Sequence, residues 1–197
     1  MHKNTAILFL LLCVPFATLL GQEAEVVHTL SVHAGGGFTR NVSDFDVVPE
    51  GLDRSGMFGT VRLMWKPEHL LSFGLEAGYQ RIYAVNITNA PSPVGPISGN
   101  SVLNAIPVLL IFSMPVIDHF EAYVGGGFGF LNSTVEFLGD KTVSSAYTPA
   151  LMAAGSYFIP LSDDLRLGGE LRYTYFDRFV DQNLGLQVLL SYRLTSW

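Results

Sequence analysis

The sequence predicts an all-β fold: an eight-stranded antiparallel up-and-down transmembrane β-barrel, preceded by a signal peptide. Three observations carry that expectation. Charged residues make up only 14% of the 197-residue chain, against about 25% in a typical soluble domain. After residue 21 no apolar run is long enough to cross a bilayer as a helix. Two-residue alternation of apolar and polar side chains, strictest near the C-terminus, recurs in most of the later segments, and that period gives a strand two unlike faces. Low charge, many glycines and aromatics, and no membrane helix together describe a barrel whose outer face meets lipid.

The first 21 residues read as a leader. Lys3 precedes an apolar run from Ala6 to Leu20, interrupted by Pro15 and followed by the small Gly21. A charged start, a short apolar centre and a small residue at the end describe a secretory signal peptide, with cleavage expected near Gly21. The barrel domain is then 22–197. Cys13 lies inside the apolar run, with Val14 and Pro15 after it, so it does not mark a lipid anchor. With the leader removed the chain has no cysteine, which excludes disulfides and thiolate chemistry. Ten basic residues then face 17 acidic ones, a balance unsuited to nucleic acid.

Eight alternating segments are expected near 28–40, 56–66, 70–84, 101–113, 120–131, 147–159, 165–177 and 183–195. The last is the clearest. Leu184, Leu186, Val188, Leu190, Tyr192 and Leu194 share one parity, against the mostly small or polar Gly185, Gln187, Leu189, Ser191 and Arg193 on the other. In 165–177, Leu165, Leu167, Leu171, Tyr173 and Tyr175 oppose Arg166, Glu170, Arg172 and Thr174. The pairs 56–66 and 70–84 set Val61, Leu63 and Trp65 against Arg62 and Lys66, and Leu71, Phe73, Leu75 and Tyr79 against Glu76 and Gln80. Segments 101–113 and 147–159 are apolar on both faces, and Pro107 predicts a bulge or bend. Connections alternate between short (67–69, 115–119, 160–164) and long, Gly/Ser/Asn-rich stretches (41–55, 86–100, 132–146), the pattern of periplasmic turns and surface loops.

A soluble ligand-binding barrel also alternates, but with its apolar face inward. Its polar face would carry dense Lys/Glu coverage; here that face carries Arg62, Glu76, Glu170, Arg172 and Arg193 close to glycines. The membrane sense is favoured. Two stretches, "HAGGGF" at 33–38 and "YVGGGFGF" at 123–130, raise the question of a phosphate cradle. Such a loop needs a helix after it, and none is indicated. Gly35, Gly36, Gly37, Gly125, Gly126 and Gly127 are therefore read as structural, relieving crowding in a tightly curved wall at similar heights on two upward strands. Tyr79 and Tyr173 are candidates to cover the bare backbone.

Three stretches, "AIPVLLIF" (105–112), "YVGGGFGFL" (123–131) and "GGELRYTYFDRF…NLGLQVLLSYRL" (168–194), resemble the small outer-membrane β-barrel proteins of diderm bacteria, OmpA/OmpX-like and including the PorT-like group. The resemblance implies location in the bacterial outer membrane, contact with its lipid, insertion by the barrel-assembly machinery, and loops at the cell surface. It also implies a C-terminal strand with a late aromatic. Tyr192 and Leu194 fit, while Trp197 falls one residue out of phase. Many relatives carry a peptidoglycan-binding domain after the barrel; the chain ends at its last strand, so that role is not expected.

The inward charges are the main candidate site: Arg62, Glu76, Glu121, Arg166, Glu170, Arg172 and Arg193, with Lys66 nearby. A turn near Glu68 brings Arg62 and Glu76 together across a hairpin. Charges facing a narrow lumen need partners, so the expected role is a salt-bridged plug, with a narrow ion path as the alternative. No catalytic, cofactor or metal site is expected. His28 and His33 differ in parity, His69 and His119 fall in turns, and no Ser–His–acid group shares a face at one height. Asp44, Asp46, Glu50 and Asp53 make loop one acidic, read as solvated rather than cation-binding. Asn41, Asn86 and Asn132 begin N-x-Ser/Thr triplets, read as chance. The expectation is a monomeric, non-enzymatic structural or surface-display protein that meets a ligand or partner through its loops. A pore, a secretion-apparatus component and a lipid-modifying enzyme are the alternatives.

Overall fold

The computed structural model describes residues 27–43, 51–67, 70–90, 97–137, 140–178 and 181–197. The expected leader with Gly21, the loop-one acids Asp44, Asp46 and Glu50, and the expected turn residues Glu68 and His69 lie outside them. The described chain is strand and turn: β1 (Thr29–Asn41), β2 (Leu52–Asp53), β3 (Ser55–Lys66), β4 (Ser72–Ala90), β5 (Ile97–Ile117), β6 (Phe120–Phe137), β7 (Asp140–Pro160), β8 (Leu165–Phe176) and β9 (Asp181–Ser196). The two-residue β2 only pairs with the edge of β4. The other eight form an antiparallel ring in chain order, closed by β1 against β9.

The ladder fixes the geometry of the ring. Starting at Ser31, cross-strand partners run Met64, Gly74, Ile111, Gly125, Met152, Thr174 and Asn183, and return to β1 at Asn41, ten residues higher. With eight strands and standard spacings, that shear tilts the strands by about 40° from the barrel axis. Half a circuit accounts for half the climb. Gly125, linked to Ser31 through four ladders, therefore stands level with Gly36. The two glycine tracts are at one height on opposite walls.

The sense of the barrel follows from which face water would meet. Leu184, Leu186, Val188, Leu190, Tyr192 and Leu194 all point outward and are exposed, as are Val61, Leu63, Leu75 and Leu171. The interior holds the polar set: Arg62, Glu76, Glu170, Arg172, Gln80 and Gln187 are all buried. A soluble barrel would reverse this. Burying the outer belt in lipid gains about 25 cal/mol per Å² of apolar surface. At the short-turn end Trp65 packs edge-on against Phe73 at 4.9 Å, and His28 stacks on Trp197 at 5.7 Å. Toward the loop end Tyr79, Phe128, Phe130 and Tyr147 stand exposed. These are the two aromatic girdles expected of a membrane barrel. Part of the lumen is dry as well: Ile82, Leu103, Leu109, Leu131, Phe158 and Phe176 belong to one buried apolar cluster.

Several details depart from sequence expectation. The stretches 86–100 and 132–146 are largely not irregular loops. β4 and β5 pair as far as Ala90 and Ile97, and β6 and β7 as far as Phe137 and Asp140. Together β4–β7 form a sheet that outruns β8, whose last partner on β7 is Ala150. The Gly/Ser/Asn content suggested loops, but Thr134, Val135, Thr142 and Val143 intervene, and these β-branched residues pair across the hairpin. The bulge expected at Pro107 lies elsewhere. The β4–β5 ladder omits the pairs of Gly78 and Tyr79 with Pro107 and Ile106, then resumes in unchanged register, while its two shifts fall between Arg81 and Tyr83 and between Ile87 and Ala90. Proline's missing N–H interrupts the ladder without displacing it.

Trp197 is brought into phase by a second irregularity. The β1–β9 register shifts between Leu30 and Ser31, opposite Thr195 and Arg193, so Leu194 is the extra residue. That reverses the parity of the final residues, and Trp197 stands outward, 62% exposed. Reciprocal backbone bonds between His28 and Trp197, 2.9 and 3.1 Å, close the seam.

Candidate functional site

The centre of the lumen is a neutral quartet of charges. Arg62 on β3 and Glu76 on β4 are direct ladder partners, and the Arg62 Nε donates to Glu76 Oε2. The Arg62 Nη2 reaches across the barrel to Glu170 Oε1 on β8 at 2.6 Å. Arg172, also on β8, returns the contact: its Nη2 lies 2.6 Å from both Glu76 oxygens. Its Nε is 3.5 Å from Glu170 Oε1. Two guanidiniums and two carboxylates thus tie two opposite walls together. The side chains of Arg62, Glu76 and Glu170 have no exposure at all, and that of Arg172 has 4%.

Neutral polar groups extend the quartet, while Arg62 Nη1 and Arg172 Nε are buried without a hydrogen-bond partner. Ser156 donates to Glu170 Oε2 at 2.8 Å, and the Gln187 amide donates to Glu170 Oε1 at 2.6 Å. Thr60 donates in turn to the Gln187 oxygen at 3.1 Å. The Arg62 guanidinium lies 4.7 Å from the Tyr123 ring centre, and Arg172 5.8 Å from that of Phe58. Buried charges are tolerable only when paired and hydrogen-bonded in this way. Thr60 and Gln187 lie on the polar parity of their strands but were not among the candidate site residues, and Ser156 falls in the segment read as apolar on both faces.

The predicted set does not act as one network. Glu121 and Arg166 form a separate pair nearer the turns, 2.7 Å apart. The Tyr123 hydroxyl donates to Glu121, and Arg166 donates to Ser191 at 3.3 Å. Arg193 sits apart from both, at the turn-end mouth of the lumen. It reaches Asp164 of the β7–β8 turn at 3.7 Å, with both side chains about half exposed. Below the quartet a vestibule of about 190 Å³ opens toward the turn end, lined among others by Lys66, Glu121, Arg166, Arg193 and Asp164.

One histidine has a serine neighbour. Ser31 and His33 share the inward face of β1, and the Ser31 hydroxyl meets His33 Nε2 at 3.1 Å. The His33 Nδ1 has no hydrogen-bond partner. A serine–histidine pair therefore exists, but no carboxylate orients its ring as a triad requires. His119 is in the β5–β6 turn with a positive φ of 68°. Asp53 pairs with Arg81 at the exposed rim, 3.1 Å apart. Asn41 is buried and bonded to Asp181, so its triplet is closed to modification. Among the described residues no group of three or more His, Cys, Asp or Glu could hold a metal.

The glycines divide by face. A methyl on Gly35 would lie 2.6 Å from the Val188 carbonyl oxygen, one on Gly37 2.0 Å from that of Leu186, and one on Gly127 2.2 Å from that of Val108. One on Gly125 would meet the Ile111 side chain at 2.4 Å. These four face inward, where the neighbouring strand curls over them. Gly36 and Gly126 face outward with ordinary room, so steric need does not explain them. Tyr79 shares an outward row with Gly36 and Gly59, whereas Tyr173 pairs with Ala153 and Leu184, away from the tracts.

Comparison with solved structures places this architecture. A major outer membrane protein from Thermus thermophilus superposes with a TM-score of 0.57 at 16% identity, over 85% of this chain and 99% of that one. Ail, the attachment invasion locus protein of Yersinia pestis, gives 0.51 at 12% identity, over 87% and 100%. The fold is that of the small outer-membrane β-barrels. No protein-family model and no curated protein matches the sequence. At these identities the barrels share a fold and leave the activity of this one to its own residues.

Proposed function

We propose that this barrel is a closed, monomeric, non-enzymatic protein of the bacterial outer membrane that displays a binding surface to the exterior. The carrying observation is the quartet of Arg62, Glu76, Glu170 and Arg172. Fully buried and internally neutral, it spans the lumen and leaves no unpaired charge to attract a passing ion. Function then moves to the exterior, where the β4–β7 sheet extends beyond the barrel rim. A paired sheet presents a defined face, as an irregular loop does not, and Val135, Phe137 and Val143 stand exposed on it. Such a face suits a surface ligand or protein partner.

Refolded protein in a planar bilayer is expected to be electrically silent. Discrete conductance steps that change in Glu76→Gln would instead establish the pore reading. Cutting the β6–β7 hairpin back, by joining residue 132 to 145 through a two-residue turn, is expected to leave the heat-dependent gel shift of the barrel unchanged. The belt and the quartet are untouched by that deletion, so loss of folding would show that the protruding sheet is structural instead.

A further inference from the structure

We propose that the loop-end seam between β1 and β9 holds a calcium ion, bound by Asp181, Asn183 and Asn41. These residues face the lumen where the first and last barrel strands meet, and their exposures are only 2%, 1% and 1%. Asn41 and Asn183 are ladder partners, and Asp181 lies two residues from Asn183 on the same face. The Asn41 amide donates to Asp181 Oδ1 at 3.1 Å, holding one carboxylate oxygen in place. The other oxygen, Asp181 Oδ2, has no hydrogen-bond partner, and neither has Asn183 Oδ1 or Asn183 Nδ2.

Two buried acceptors without a partner, on alternate inward positions, are costly unless something positive occupies the space beside them. Turning the Asn183 N–H toward Asp181 Oδ2 would satisfy that oxygen but leave Asn183 Oδ1 unpartnered, so a donor within the cluster meets only part of the deficit. No described Lys, Arg or His makes a salt bridge to Asp181, unlike the carboxylates of the central quartet. A protonated Asp181 donating its O–H to the unpartnered Asn183 Oδ1 is the rival arrangement; it binds no calcium, so the titration separates the two. A hard cation resolves both unpartnered oxygens at once. The donors are a carboxylate and amide oxygens, the ligands calcium takes in flexible geometry, whereas magnesium demands a near-ideal octahedron. Asn41 Oδ1 already accepts the Ser43 backbone N–H at 3.0 Å and keeps a second lone pair for the ion. The ion would bridge β1 to β9 where the chain leaves the membrane on both strands. With one carboxylate, the affinity belongs to the weak extracellular class, roughly 0.1–1 mM.

The test is calcium titration of the refolded, full barrel in a zwitterionic detergent, followed by calorimetry, with thermal unfolding as the second readout. The wild type is expected to bind one calcium and to unfold at higher temperature in 10 mM CaCl₂ than in EDTA, with magnesium at least tenfold weaker. Asp181→Asn is expected to abolish binding and the calcium-dependent shift while remaining folded, since it removes a buried charge. Asn183→Leu is expected to weaken binding at least tenfold. Asp163→Asn, in the opposite turn, is expected to bind as wild type. Folded wild type that binds no calcium, or binding that survives Asp181→Asn, overturns the assignment.

Discussion

Glu76→Gln will destabilise the barrel by about 3–5 kcal/mol, the range measured when one partner of a buried ion pair is removed. Glu76 accepts from both Arg62 and Arg172. The isosteric amide removes its charge without opening a cavity and leaves two buried guanidiniums facing the single carboxylate of Glu170. The check is urea unfolding of protein refolded into lipid vesicles. A double variant separates charge balance from shape. In Arg62→Leu with Glu76→Leu, Arg172 and Glu170 remain as a one-to-one pair, 3.5 Å apart. The double variant should therefore be more stable than either single, with a coupling of about 0.5–3 kcal/mol. The rim offers a contrast: Arg81 and Asp53 are 36% and 47% exposed, and Arg81→Ala should cost less than about 1 kcal/mol. Equal losses at rim and centre would mean that the quartet is no more than surface electrostatics.

How much of this was legible depends on the range of the interaction. Alternation at 184–194 gives both strand and facing, because parity is a local property of the chain. The Arg62–Glu76 contact needs only a hairpin with a known turn. The contact of Arg62 with Glu170, 108 residues away, depends on the shear. No local pattern encodes the ten-residue stagger; it emerges when all eight ladders close. For the same reason Glu121 and Arg166 looked continuous with the quartet, although tilt puts them in a lower layer. Arg193 had inward parity, but it sits low enough in β9 to reach the Asp164 turn. The 132–146 stretch was misread on composition: Ser, Asn and Gly argued loop, and cross-strand pairing of Thr and Val overrode them. Trp197 shows the converse, a true period broken by one bulged residue.

Gly37→Ala provides the sharpest separation of wall geometry from interior charge. Its added methyl would lie 2.0 Å from the Leu186 carbonyl oxygen and 2.6 Å from the Gln187 Cα. Both obstacles are backbone, so no rotamer change relieves them; β1 must move away from β9, and those strands form the closing seam. The loss should reach or exceed the top of the roughly 1–3 kcal/mol that overpacking costs, seen as a lower urea midpoint and a smaller folded band on unheated gels. The adjacent Gly36→Ala is the control. Its methyl would point to lipid, with nothing nearer than 3.7 Å, and trading glycine for alanine inside a strand should gain about 0.5–1 kcal/mol. Two neighbouring glycines with the same substitution and opposite signs follow only if the tract serves inward curvature. If both variants lose equally, the tract is needed for backbone freedom and the steric account fails. If neither does, the seam has slack. Gly127→Ala then decides whether that slack is confined to the seam, because its methyl would meet the Val108 carbonyl oxygen at 2.2 Å on the opposite wall, where no chain ends can part.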